Sequence, residues 1–182
     1  MRRGPGPSLR LATEADRRAL WRLHSRSVAA LCQGAYSPHE VKTWVELLRP
    51  DGYLRPEQPR TVLLAERGQT LVGFGQLEPL LGELEALYVA PEEAGHGVGS
   101  SLLASLETLA WQAGASAMSL DASLNAETFY HERGYVRLHR AHRILTPEVH
   151  LACLRMRKPR PAASELRPGR RGEAFGAPRP EP

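Results

Sequence analysis

Three glycines at alternate positions mark the stretch of this sequence best suited to chemistry. They lie in Leu87-Tyr88-Val89-Ala90-Pro91-Glu92-Glu93-Ala94-Gly95-His96-Gly97-Val98-Gly99-Ser100-Ser101-Leu102-Leu103. An apolar, strand-like segment enters this loop and an amphipathic helix leaves it. Glycines let a backbone approach a ligand closely and turn its N–H groups inward. The helix N-terminus adds unpaired donors and a partial positive charge. The combination suits a phosphate, most naturally a pyrophosphate. A P-loop needs Gly-Lys-Ser/Thr at the helix start, and no lysine lies between Lys42 and Lys158. A dinucleotide fingerprint needs Gly-x-Gly-x-x-Gly, whereas the spacing here is Gly-x-Gly-x-Gly.

A second stretch follows at Asn125-Ala126-Glu127-Thr128-Phe129-Tyr130-His131-Glu132-Arg133-Gly134-Tyr135. Together the two resemble the paired motifs of GNAT-fold N-acyltransferases. In the first, Val89, Pro91, Gly97, Gly99, Leu102 and Leu103 carry the likeness to that family's acetyl-CoA loop. In the second, Asn125, Phe129, Tyr130, Gly134 and Tyr135 do so. Asp121-Ala122-Ser123 and the ending Arg155-Met156-Arg157-Lys158 also look like a small bacterial branch of the family. Ala94 departs from the pattern, which usually has Arg or Gln there.

The resemblance implies an acetyl-CoA-dependent N-acetyltransferase. A primary amine, on a small molecule or a peptide, would attack the thioester directly. Leu87, Tyr88 and Val89 would run beside the cofactor arm, and Gly95, His96, Gly97, Val98, Gly99 and Ser100 would hold its phosphates. Asn125 would bond the arm, although it reads equally as a helix N-cap. Tyr130 is the candidate acid at the leaving sulfur. A phenol near pKa 10 giving its proton fully to a thiolate near 8.5 is uphill by roughly 1.5 units, about 2 kcal/mol, so a shared hydrogen bond is expected. Glu85 is the candidate base, with a solvated strand carboxylate as the plain alternative and Glu83 as fallback. Strand alternation predicts Glu83, Glu85 and Leu87 on one face and Leu84, Ala86 and Tyr88 on the other. The alternative function is a catalytically weak CoA-binding or protein-interaction module of the same fold, a reading that Ala94 favours.

The elements that must position these residues are legible from pattern. Thr13, with Asp16 three residues on, reads as a helix start, and Leu20, Leu23, Val28 and Leu31 as its apolar stripe. Ser37-Pro38-His39-Glu40 is a stronger start, followed by Val41, Trp44, Val45 and Leu48. Tyr36 and Trp44 lie on the segment that lines the acceptor pocket in the family, though Trp44 reads better as core. Strands are predicted at 61–66, 71–77, 83–89, 115–120, 135–145 and 150–157, with a short one at 9–11. Helices are predicted after Gly99 and over 125–133. The order implies an α/β (α+β) fold, with helices on both faces of a mixed, mostly antiparallel sheet.

Composition narrows the rest. The chain has 182 residues, 24 Lys and Arg against 20 Asp and Glu, and only two cysteines. No run approaches the ~18 apolar residues of a membrane span. The N-terminus lacks the apolar core of a signal peptide. Cys32 and Cys153 are too few for a disulfide framework, which with the missing export signal points to the cytoplasm. Cys153 reads as buried filler, and His139 and His142 lie three apart on a strand, facing opposite sides, so no metal site is expected. Residues 1–7 and the Pro-, Arg- and Gly-rich 159–182 are expected to be disordered around an N-acetyltransferase domain at 8–158. The tail holds two of the four net positive charges. Its arginines therefore explain much of the basicity without a nucleic-acid face. Either a monomer or a homodimer is compatible with the sequence.

Overall fold

The computed structural model describes residues 6–54 and 60–162. Most of the segments expected to be disordered, residues 1–5 and 163–182, lie outside the described residues. The strands are β1 (Ser8–Leu11), β2 (Thr61–Arg67), β3 (Thr70–Glu78), β4 (Glu83–Val89), β5 (Ala117–Ser123), β6 (Val136–Ile144) and β7 (His150–Pro159). The helices are α1 (Arg17–Leu31), α2 (Pro38–Leu47), α3 (Val98–Gln112) and α4 (Glu127–His131). The last strand runs past the expected boundary at 158, and the Arg160 N–H donates to the Ser116 carbonyl at 2.9 Å.

Both capping signals work as the sequence suggests. The Ser37 N–H donates to Glu40 at 2.8 Å, and the Glu40 N–H returns the bond to Ser37 Oγ at 3.2 Å. The Thr13 N–H donates to Asp16 at 2.7 Å. That first turn is 3₁₀ over Glu14–Asp16, so α1 proper begins at Arg17.

The seven strands form one sheet in the order β1-β2-β3-β4-β5-β7-β6. Every neighbouring pair is antiparallel except β4 and β5, which are parallel and joined by the crossover through α3. On one face α3 sets Leu102, Leu103 and Leu106 against Leu63, Val72, Leu77, Met118 and Leu120. On the other, α1 sets Leu20 and Leu23 against Val62, Leu64 and Phe74, while α1 and α2 close a further cluster around Val28, Trp44 and Leu151. Strand β2 is apolar on both faces because both are covered. Gly75 is tied to this packing: a Cβ there would collide with Leu106, so the glycine lets α3 lie close on β3.

Candidate active site

Two local irregularities open the sheet at one place. Strands β4 and β5 pair only at Glu83–Ser119 and Leu84–Leu120. Beyond that point β4 parts from β5. In the same region the register between β3 and β4 shifts: Gln76 faces Ala86, the next residue Leu77 faces Leu84, and Glu85 is the extra residue of a bulge. The bulge corrects the expected alternation. Leu84, Leu87 and Val89 all pack on the α3 side, while Ala86 and Tyr88 pack towards α1. Glu85 lies with Gln76 beside Ala86, so it does not share a face with Leu87.

Three cavities meet at this opening. The first, about 580 Å³, is lined by Leu87, Tyr88, Val89, Gly95, Gly97, Gly99, Ser100, Asn125, Tyr130 and their neighbours. Gly95 and Gly97 adopt φ of +78° and +85°, left-handed values that suit glycine. Among the described residues, the N–H groups of Gly95, Gly97, Val98, Gly99 and Ser100 have no main-chain acceptor. They form a cluster of open donors at the start of α3, the arrangement that holds a phosphate. The His96 N–H is not among them, because it donates to the Glu93 carbonyl at 3.1 Å, and the His96 side chain stays exposed outside the cavity lining. The Val98 side chain is buried in the core, leaving only its N–H to offer. Asn125 lines this cavity but is not the N-cap that its place in the sequence also suggests. It sits within a 3₁₀ turn, and its Nδ2 donates to the Leu31 carbonyl at 3.1 Å, tying the end of α1 to the approach to α4.

One residue of this cavity escaped the sequence reading. Arg133 follows α4, lies over the Phe129 ring at 3.8 Å and donates to Ser100 Oγ at 2.7 Å. It thus brings a guanidinium to the loop in which Ala94 departs from the resembled pattern. The only sequence signal was its place one residue before Gly134, in a motif read for its aromatics. Glu93 also lines the cavity, and its charge is offset by Arg67 at 3.0 Å.

The second cavity is a narrow crevice of about 60 Å³ between the separated strands, lined by Glu85, Tyr88, Tyr130, Tyr36, Trp44, Arg143 and Cys153 among others. Tyr130 and Tyr88 border both the crevice and the first cavity. Burial pushes the Tyr130 phenol well above its ordinary value of 10. The group therefore stays protonated and can donate. Tyr36 Oη donates to the Ala152 carbonyl at 2.7 Å and accepts the Leu124 N–H at 3.0 Å, which fixes the end of β5 against β7. Trp44 is core, as its stripe suggests, yet its edge reaches the crevice. Cys153 is buried, and burial raises its thiol, which leaves it a poor nucleophile.

The third cavity is an open cleft of about 740 Å³ on the α1 and α2 side, lined by His24, Arg49, Tyr53, Arg60, Glu85, Asp121 and Arg143 among others. Glu85 borders both this cleft and the crevice. Its Oε2 accepts from Gln76 at 2.7 Å and pairs with Arg60 at 2.6 Å. Glu83, the fallback base, is held at both oxygens by Arg155, at 2.6 and 2.7 Å. His24 packs its ring 3.7 Å from that of Tyr88, and burial, with Arg143 as the lesser cause, pulls its imidazole down to about 3. Among the described residues, no group of three or more His, Cys, Asp or Glu stands close enough to hold a metal.

This split sheet, with its donor-rich loop at the head of α3, defines a class. A sequence profile described as "Acetyltransferase (GNAT) domain" matches residues 32–144, more than half of the chain. The protein belongs to the GNAT acetyltransferase family. Solved structures agree on the fold. A GCN5-related N-acetyltransferase from Rhodopseudomonas palustris superposes with a TM-score of 0.75 at 28% identity, over 85% of this chain and 96% of that one. PaiA N-acetyltransferase from Thermoplasma acidophilum, solved with coenzyme A, gives 0.71 at 21%, over 86% and 100%. YncA, a putative acetyltransferase from Salmonella typhimurium solved with acetyl-CoA, gives 0.56 at 20%, over 87% and 99%. No curated protein sequence matches the chain. No helix among the described residues is long and apolar enough to cross a membrane.

Proposed function

We propose that the protein is an acetyl-CoA-dependent N-acetyltransferase that takes its amine acceptor from the α1 and α2 side of the sheet. The observation that carries this reading is the continuity of the three cavities through the gap between β4 and β5. Glu85 stands at the acceptor end of the connecting crevice and Tyr130 at the cofactor end. The open N–H groups of Gly95 and Gly97–Ser100 fit a pyrophosphate, and Arg133 adds a cation beside them. Leu87, Tyr88 and Val89 offer the unpaired edge of β4 to an amide-bearing arm.

Acetyl-CoA supplies an activated acyl carbon and a thiolate leaving group. The attacking amine must arrive neutral, and Glu85 accepts its proton directly or through one water, using Oε1, which has no partner among the described residues. The Tyr130 hydroxyl donates a hydrogen bond where the sulfur's charge develops. Its raised pKa widens the gap to a thiol, so sharing of the proton is favoured over full transfer. The narrow crevice suits a short acyl group.

Calorimetry with coenzyme A, followed by a thiol-release assay of acetyl-CoA against a panel of amines and peptides, tests the reading. Binding in the micromolar range together with amine-dependent thiol release is expected. Binding without release from any amine would favour the non-catalytic module, and the absence of both would overturn the cofactor site itself.

A further inference from the structure

The charged groups of the acceptor cleft are not all paired. Glu85 is paired with Arg60 at 2.6 Å. Glu83 is gripped by Arg155, which also reaches Asp121 at 3.4 Å. Asp51 lies 3.8 Å from Arg17. Every carboxylate lining the cleft thus has a guanidinium within ion-pair range. The converse does not hold. Arg49 also lines the cleft, and its guanidinium donates to the main-chain carbonyls of Glu46 and Leu48 rather than to a carboxylate. Arg143, on β6, lines both the cleft and the crevice; its main chain pairs with Leu151, but its side chain has no hydrogen bond or ion pair among the described residues. Lining both, it stands where the crevice opens into the cleft, and its charge reaches His24, Tyr88 and Cys153.

A second observation comes from the inner end of the cleft. His24 lines it and is buried, with Nδ1 3.0 Å from Tyr53 Oη and Nε2 without a partner among the described residues. A buried polar atom left open beside a cavity points to a missing polar ligand. The imidazole is neutral near pH 7, so the charge left unpaired at the mouth among the described residues belongs to Arg143.

Resting on the acetyltransferase reading above, we infer that the acceptor is a small primary amine that also carries a carboxylate, which Arg143 binds while the amine faces Glu85. A guanidinium forms bidentate bonds to a carboxylate, which would fix the orientation of the amine as well as hold it. The cleft's volume of about 740 Å³ is within the range of small-molecule sites.

The test uses matched pairs of amines, α- and ω-amino acids beside their amides, with acetyl-CoA and the full-length chain. In the wild type, the carboxylate-bearing member of an accepted pair should have a kcat/KM at least tenfold above that of its amide. Arg143→Gln should cut that ratio at least tenfold, mainly through KM for the acid member. Arg143→Lys should restore part of it, and coenzyme A affinity by calorimetry should stay within twofold throughout. Equal use of acid and amide by the wild type would overturn the proposal. So would an equal fall in kcat for both members in Arg143→Gln, which would instead place Arg143 at the reacting carbonyl. Coenzyme A binding with no carboxylate-bearing amine accepted would overturn it while leaving the cofactor site standing. Failure to bind coenzyme A would remove both readings.

Discussion

On the proposed cofactor side of the gap between β4 and β5, the polar groups lining the cavity are chiefly the main-chain N–H groups of one loop, with a guanidinium from Arg133. On the acceptor side they are side chains, with Arg49 and Asp51 after α2, Glu85 on β4, Asp121 on β5 and Arg143 on β6. A site made of main-chain donors tolerates changes of side chain but not of backbone conformation. A site made of ion pairs has the opposite sensitivities, and it also responds to pH and salt.

Experiments can break or sharpen this contrast. The largest expected effect lies where the two sides meet. Tyr130→Phe should lower kcat by about 10²- to 10⁴-fold, the usual range for a lost proton donor, with coenzyme A affinity kept. An unchanged kcat in the thiol-release assay would remove the phenol from the reaction.

Next is the pH response of the acceptor side. His24 has a folded-state value of about 3 against an ordinary 6.5, so between those values the unfolded chain binds the extra proton. Stability from this group is fully present above about pH 6.5 and is lost as pH falls towards 3, by up to about 1.4 kcal/mol per pH unit. Thermal melts from pH 7 to pH 4.5 should show a falling midpoint, and His24→Leu should flatten the slope. A slope that survives the substitution would assign it to other groups.

On the cofactor side, Gly97→Val forces a branched side chain into a left-handed conformation, a strain of about 1–2 kcal/mol. Coenzyme A affinity should fall about tenfold or more by calorimetry, while Val98→Ile, which changes only a side chain facing the core, should leave it nearly unchanged. Similar losses in both would contradict a main-chain site. The smallest effect is Arg133→Gln, with coenzyme A binding weakened about fivefold at low salt and less at high salt. No change would mean that the loop works without any cation and that Arg133 serves only to brace Ser100.

How much of this was readable in the chain differs between the two sides. The loop at 87–103 is contiguous, and its open donors depend on backbone angles that glycines announce, so it was legible before any fold was known. The exceptions within it are instructive. His96 gives its N–H to Glu93, and Val98 turns inward, because the loop closes a 3₁₀ turn at Pro91–Glu93 before α3 begins. Asn125 lines the cavity beside the loop, but its bond to Leu31 joins segments 94 residues apart, a partner that no local pattern specifies.

The sequence by itself determined the elements, their caps and the donor-rich loop, because capping boxes, apolar periodicity and glycine angles act over a few neighbouring residues. Tertiary structure alone decided the face that Glu85 takes, since its bulge exists only in register with β3, and it alone joined Arg133 to Ser100. Among the described residues it also left the Arg143 side chain unpaired at the mouth of the crevice. Charges from segments that are distant along the chain become neighbours only when the sheet is assembled, and whether they cancel is a property of that assembly.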